Sequence, residues 1–139
     1  LLCACAIQST GHQWAANALL CPMIDARRME VYTALYHPQD LQRQGDVQAK
    51  IIDEQSFADV LSQQPMYFFG NGAAKCQQVL TSSNAYFING IVPDARHMGA
   101  LAEQSTAQML DIKQVAYYEP FYLKEFVAAP SHIKGLETK

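Results

Sequence analysis

The feature that most constrains this chain is a change of apolar period at Asp53. Before it, Leu19 to Asp25 is mostly apolar, Ala26-Arg27-Arg28 makes a short link, and Glu30 to Tyr36 alternates. Val31, Thr33 and Leu35 fall on one face of that stretch, and Tyr32, Ala34 and Tyr36 on the other. Period two in β-branched and aromatic residues predicts strands. So short a link predicts an antiparallel hairpin. His37 to Gly45 is polar, carries Pro38 and Gly45 as breakers, and reads as an exposed loop. Val47 to Asp53 then gives a third strand beside the second.

After Asp53 the helical period takes over. Phe57, Val60 and Leu61 sit at i, i+3 and i+4, which predicts a short amphipathic helix from near Glu54, with Asp53 as its N-cap and Pro65 as its end. Met66 to Phe69 is a short apolar run closed by Gly70-Asn71-Gly72, a buried strand and a turn. Cys76, Val79 and Leu80 repeat the helical spacing, and Ala85 to Ile88 is a fifth strand closed by Asn89-Gly90. Pro93 and Asp94 open another helix, with Met98, Leu101, Ala102, Ser105 and Met109 on one face. Pro120 excludes a helix interior for Tyr117 to Leu123, which reads as extended. The order β, β, β, α, β, α, β, α implies a meander followed by right-handed parallel crossovers. The expected fold class is α/β, a mixed five-stranded sheet with helices on its faces.

Leu1 to Ile7 is apolar but far shorter than the ~20 residues that cross a bilayer. It also lacks the basic start of a signal peptide. Residues 1–18 therefore read as an internal helix of a longer protein with the connection after it, 19–128 as the main domain, and 129–139 as a polar tail. Only 17% of the residues are charged, so part of the surface is expected to be covered by something else. A net charge of −3 supplies no basic field to hold nucleic acid unaided. Cys3, Cys5, Cys21 and Cys76 stand singly among apolar neighbours without a C-x-x-C pair. Zinc-ribbon and thioredoxin chemistry is thereby excluded. Buried free thiols in a reducing, cytoplasmic setting are expected.

Ile24-Asp25-Ala26-Arg27-Arg28-Met29-Glu30-Val31-Tyr32 resembles the I-D-A-R-x-x-E-V-Y segment of the TsaB (YeaZ) family. Gly70-Asn71-Gly72, Val92-Pro93-Asp94-Ala95 and Glu119-Pro120-Phe121-Tyr122-Leu123-Lys124 resemble three further family segments in order and rough spacing. The resemblance runs from about residue 19 onward and implies the C-terminal half of such a protein. It implies a ribonuclease H-like half-domain of the actin-like ATPase class, with strand order 3-2-1-4-5. It also implies a non-catalytic scaffold for a TsaD-like catalytic subunit, working with a TsaE-like ATPase. That machinery places threonylcarbamoyl on adenosine 37 of tRNAs reading ANN codons, so the tRNA is an indirect partner, and a homodimer is a further possibility.

The residues themselves leave rival chemistries to weigh. His12, His37, His97 and His132 are isolated, with no second histidine four residues away. A glycoprotease-type metallopeptidase therefore gains no metal pair, and each histidine reads as a surface or capping residue. Actin-class nucleotide sites use a D-x-G hairpin whose glycine lets the backbone approach phosphate. Here Asp25-Ala26-Arg27 lacks that glycine. Asp25, Arg27, Gly70 and Gly72 remain the nucleotide-binding candidates, against solvated turn residues and a tight strand-to-helix turn. Tyr117, Tyr118, Phe121, Tyr122 and Phe126 form an aromatic cluster. Covering the sheet is its favoured role, with Tyr118, Phe121 and Tyr122 as the partner-binding candidates should it be exposed. Base stacking there lacks basic surroundings in the sequence. No catalytic residue, metal ligand or cofactor is assigned, and an actin-class kinase stays a rival reading.

Overall fold

The computed structural model describes residues 1–105 and 116–124. The elements in chain order are α1 (Leu2–Thr10), β1 (Leu19–Asp25), β2 (Glu30–Tyr36), β3 (Arg43–Ile51), α2 (Ala58–Leu61), β4 (Met66–Phe69), α3 (Ala73–Cys76), β5 (Ala85–Ile88) and α4 (Met98–Ser105), with a 3₁₀ turn at Ala95–His97. The five strands form one sheet in the order β3-β2-β1-β4-β5. β1 pairs antiparallel with β2, Met23 opposite Thr33, and β2 pairs antiparallel with β3. β1 and β4 run parallel with Leu20 opposite Tyr67, and β4 and β5 run parallel with Phe68 opposite Phe87. This is the expected α/β architecture, a mixed sheet in the order 3-2-1-4-5.

Alternation along the strands builds two cores. Leu19, Cys21, Met23, Val31, Met66 and Phe68 face one side, where Leu61 of α2, Ala73 and Cys76 of α3, and Leu80 cover them. Leu20, Tyr67 and Phe69 face the other side, under Leu2, Cys3, Cys5 and Ala6 of α1. β1 and β4 are thus buried on both faces, which is why their sequences are continuous apolar runs. Rings stack across the parallel pair, Phe68 on Phe87 and Tyr67 on Tyr86, each with centroids 5.1 Å apart. Burying a side chain such as Phe68 contributes about 1.5–3 kcal/mol. Inside the first core, Cys21 Sγ and Thr33 Oγ1 lie 3.1 Å apart, which satisfies the one hydroxyl that alternation forces inward.

Four details differ from the sequence expectation. β3 begins at Arg43 rather than Val47 and ends at Ile51 rather than Asp53. Gly45 does not break the strand: at φ +76 it opens a bulge where the register slips between Thr33 and Leu35. The helix expected from Glu54 starts only at Ala58, because Phe57 adopts a left-handed backbone (φ +63). Asp53 still works as a cap, but of a turn, accepting from Gln55 N at 3.1 Å and Ser56 Oγ at 2.8 Å. The helix expected to open at Pro93 and Asp94 begins instead as a 3₁₀ turn, which Asp94 caps by accepting from Arg96 N at 2.9 Å, and of the expected apolar face Leu101 is only half-buried. Met98 is 56% exposed and Ala102 is exposed. Fourth, the described aromatics near the C-terminus do not cover the sheet: Tyr117, Tyr118, Phe121 and Tyr122 are 73–85% exposed. Met109, Phe126, His132 and the 129–139 tail lie outside the described residues.

Candidate functional site

β1 and β4 lie side by side and point the same way, so the turns that follow them meet at one end of the sheet. That end lies where the sheet passes from antiparallel to parallel pairing, the place at which open α/β sheets hold ligands. Three of the four nucleotide-site candidates are part of it directly. Gly70 has φ +101, and a Cβ there would stand 2.4 Å from Met23 O. A Cβ on Gly72 would meet Asp25 N and the Val31 side chain, each at 3.0 Å. The glycines thus let the turn lie flat against the end of β1. Between them, Asn71 Oδ1 accepts from Asp25 N at 3.0 Å and joins the two turns. The fourth candidate, Arg27, sits at the hairpin tip with φ +73, followed by Arg28 at φ +48.

The hydrogen-bond donors at this end are largely engaged within the chain. Gly72 N donates to Met23 O at 3.0 Å and Ala73 N to Gly70 O at 3.1 Å. Ala26 N donates to Glu30 O and Glu30 N to Arg27 O, both at 3.0 Å. Arg27 N donates to Asp25 Oδ1 at 2.9 Å. A phosphate cradle needs backbone N–H groups that are free to point at the anion; these are taken.

Lys75, on α3, reaches the same hairpin. Its ammonium pairs with Asp25 Oδ1 and donates to Glu30 O at 2.7 Å. The Lys75 ammonium, followed by the Arg27 backbone N–H, holds the Asp25 carboxyl below the usual carboxylate range. On the outer side of the hairpin, Lys124 Nζ lies 2.5 Å from Glu30 Oε1, and that carboxylate raises the Lys124 ammonium above its ordinary value. Sequence reasoning missed Lys75, Asn71, Glu30 and Lys124. The signal for Lys75 was present as a lysine three residues after Gly72, but its partner lies fifty positions away in the chain.

No cluster of three or more His, Cys, Asp or Glu side chains that could hold a metal occurs among the described residues. His12 packs edge-on against Trp14 and Tyr67, with centroids at 4.8 and 5.1 Å. His97 Nδ1 lies 2.6 Å from Gln8 Oε1 and ties the 3₁₀ turn to α1. All four cysteines are free and buried, and burial pushes the Cys3 and Cys21 thiols up to about 12. Such thiols are inert rather than nucleophilic.

On the face that α1 covers only in part, Leu1, Pro22, Ile24, Tyr32, Val47 and Leu101 line an open apolar groove of about 520 Å³. No helix among the described residues is long and apolar enough to cross a membrane. No family model and no curated protein matches this chain.

Proposed function

We propose that this chain is the C-terminal half of a TsaB-like scaffold, a cytoplasmic, non-catalytic partner of a TsaD-like subunit in tRNA threonylcarbamoyladenosine formation. The observation that carries the reading is the state of the sheet end where an actin-class relative would do its chemistry. Lys75 pairs with Asp25 there, the turn N–H groups donate to the chain's own carbonyls and carboxylate, and Arg27 stands where the phosphate-approaching glycine would be. A ribonuclease H-like half-domain with these substitutions keeps the shape and loses the cradle. Two further observations agree with work by contact. The I-D-A-R-x-x-E-V-Y segment forms the end of β1, the hairpin and the start of β2, so the residues that carry the resemblance are those that close the site. The open apolar groove of about 520 Å³ and the exposed aromatics offer surface for partners.

The test is reconstitution. Full-length protein carrying this chain is mixed with TsaD-like and TsaE-like partners, ATP, the threonylcarbamoyl donor and unmodified tRNA, and the nucleosides are read by mass spectrometry. Modified adenosine that depends on the added protein is the expected result. A mixture equally active without it overturns the reading, and so does an inactive complete mixture in which the partners are shown to be competent with another scaffold.

A further inference from the structure

The sheet ends on two edge strands of unequal length, β5 with four residues and β3 with nine. A short edge is one way in which proteins avoid pairing with a second chain, and β3 does without it. Among the described residues, β3 pairs with β2 on one side and with no strand on the other. Ile52 N donates to Met29 O at 2.9 Å, Lys50 stands opposite Val31, and Gln48 opposite Thr33. Alternation in an antiparallel ladder therefore turns the backbone groups of Gln48 and Lys50 towards β2 and those of Val47, Ala49 and Ile51 outward. The bulge at Gly45, φ +76, limits the regular outer stretch to residues 46–51.

The side chains of that stretch are sorted by face. Asp46, Gln48 and Lys50 line a groove of about 320 Å³ beside α2, and Val47 lines the apolar groove on the α1 side. Asp46 and Lys50 are four residues apart, about 13 Å along a strand, too far to pair with each other. Asp46 is exposed and has no ion pair among the described residues. Lys50 rests over the Phe57 ring, 4.5 Å from its centroid. The remaining charges at this edge are Arg43 before the bulge, Asp53 and Glu54 after the strand, and Asp59 on α2. Glu54 and Asp59 are exposed and lie off the regular stretch.

We propose that β3 is the docking edge for a second copy of this chain, the two sheets joining antiparallel about a two-fold axis at Gln48. The strand is complementary to itself in that register. Asp46 of each copy comes opposite Lys50 of the other on one face, and Val47 opposite Ala49 on the other face. Arg43 falls towards Asp53 of the other copy. Val47 and Ala49 are the residues whose backbone groups point outward, so each Val47–Ala49 pair exchanges two N–H···O bonds. An axis at Val47 or Ala49 loses both charge pairs, and an axis at Asp46 or Lys50 sets like charges opposite each other. Charge order thus selects a second copy over a foreign strand. Six residues a copy fall far short of the roughly 20–30 of a standard interface, so the association is weak and reversible. The inference stands apart from the scaffold reading.

The experiment is sedimentation equilibrium of the chain over about 10 µM to 1 mM, a range suited to a small interface. The weight-average mass is expected to climb from 15.5 kDa towards twice that value. Asp46→Lys and Lys50→Asp are each expected to weaken association about fivefold or more, since two favourable pairs per dimer become two repulsive ones. An equimolar mixture of the two variants sets two lysines on one strand against two aspartates on the other, and is expected to associate as the parent does. Ala49→Pro, which removes an outward N–H and leaves the ladder to β2 intact, is expected to abolish the dimer. Circular dichroism of each variant checks that the fold is retained. A parent chain that stays monomeric throughout the range overturns the proposal. Single charge variants that associate like the parent overturn it too, by assigning the dimer to another surface such as the apolar groove, and so does a mixture of folded variants that fails to restore association. Because the assay contains no other subunit, its failure leaves the reconstitution outcome untouched, and failure of reconstitution leaves this self-association measurable.

Discussion

Gly70→Ala probes the joint between the two turns at the site. The residue holds φ +101, a backbone region that costs a side-chain-bearing residue about 1–3 kcal/mol. Its new Cβ would stand 2.4 Å from the Met23 carbonyl oxygen, an atom of β1 backbone that cannot swing away as a flexible side chain would. Forcing such an overlap apart costs typically a further ~1–3 kcal/mol. The alanine also stiffens the unfolded chain, which returns about 0.4–1 kcal/mol. The net expectation is a loss of about 3 kcal/mol, the sum of these three effects. Gly90→Ala is the internal control: φ is +79, but nothing lies within 4 Å of the added methyl. It should lose about 1 kcal/mol from backbone strain alone. Urea unfolding followed by the single tryptophan, Trp14, which packs 4.9 Å from Tyr67, reads both variants. With a urea slope of about 1–3 kcal/mol per molar, the Gly70→Ala midpoint should fall by roughly 1–3 M and the control by well under half of that. Equal losses in the two variants would refute the close approach of the Gly70 turn to β1.

Acid should erode stability late. The Arg96 side chain holds the Asp94 carboxyl down to about 2, and Asp25 and Asp53 are lowered by Lys75 and Ser56 respectively. Carboxyls depressed in the folded state contribute above the unfolded value of about 3.9, and that contribution is lost as pH falls through the folded one. The urea midpoint should therefore hold between pH 7 and about 5 and drop between about 4 and 2; a midpoint that rises over the lower range contradicts this. Alkali acts in the opposite sense on the buried thiols. With Cys3 and Cys21 raised to about 12 by burial, stability is complete below the ordinary thiol range and is lost as pH climbs from about 9 towards 12. A thiol reagent at about pH 8 should label none of the four cysteines in the folded chain within minutes and all four in urea; rapid labelling of the native protein would place a thiol at the surface.

The strands were legible because alternation and punctuation act locally. Val31, Thr33 and Leu35 alternate with Tyr32, Ala34 and Tyr36 whatever the rest of the chain does, and Gly70-Asn71-Gly72 must turn. The short helices were less legible. The apolar spacing of Phe57, Val60 and Leu61 is real and packs as expected, but a left-handed Phe57 delays the helix by a turn, and spacing carries no record of backbone sign. The bulge at Gly45 was hidden for a related reason, since a glycine that bends a strand and one that ends it look alike in a sequence. At the candidate site, the glycines and Asp25 could be picked out by residue type. Lys75 and Lys124 could not, because their meaning lies in carboxylates fifty and ninety-four positions away. The aromatic segment shows the same limit. Composition says that rings should be covered, while exposure depends on which surface the chain passes over.

The central claim is that this end of the sheet is closed by the chain's own groups and works by contact. Calorimetric titration of the chain with ATP and magnesium tests it most directly. The account predicts no saturable heat up to millimolar nucleotide, with Lys75 remaining on Asp25. A defined one-to-one isotherm in the micromolar range would contradict it, since the nucleotide would then have displaced the lysine and opened a cradle held here to be shut.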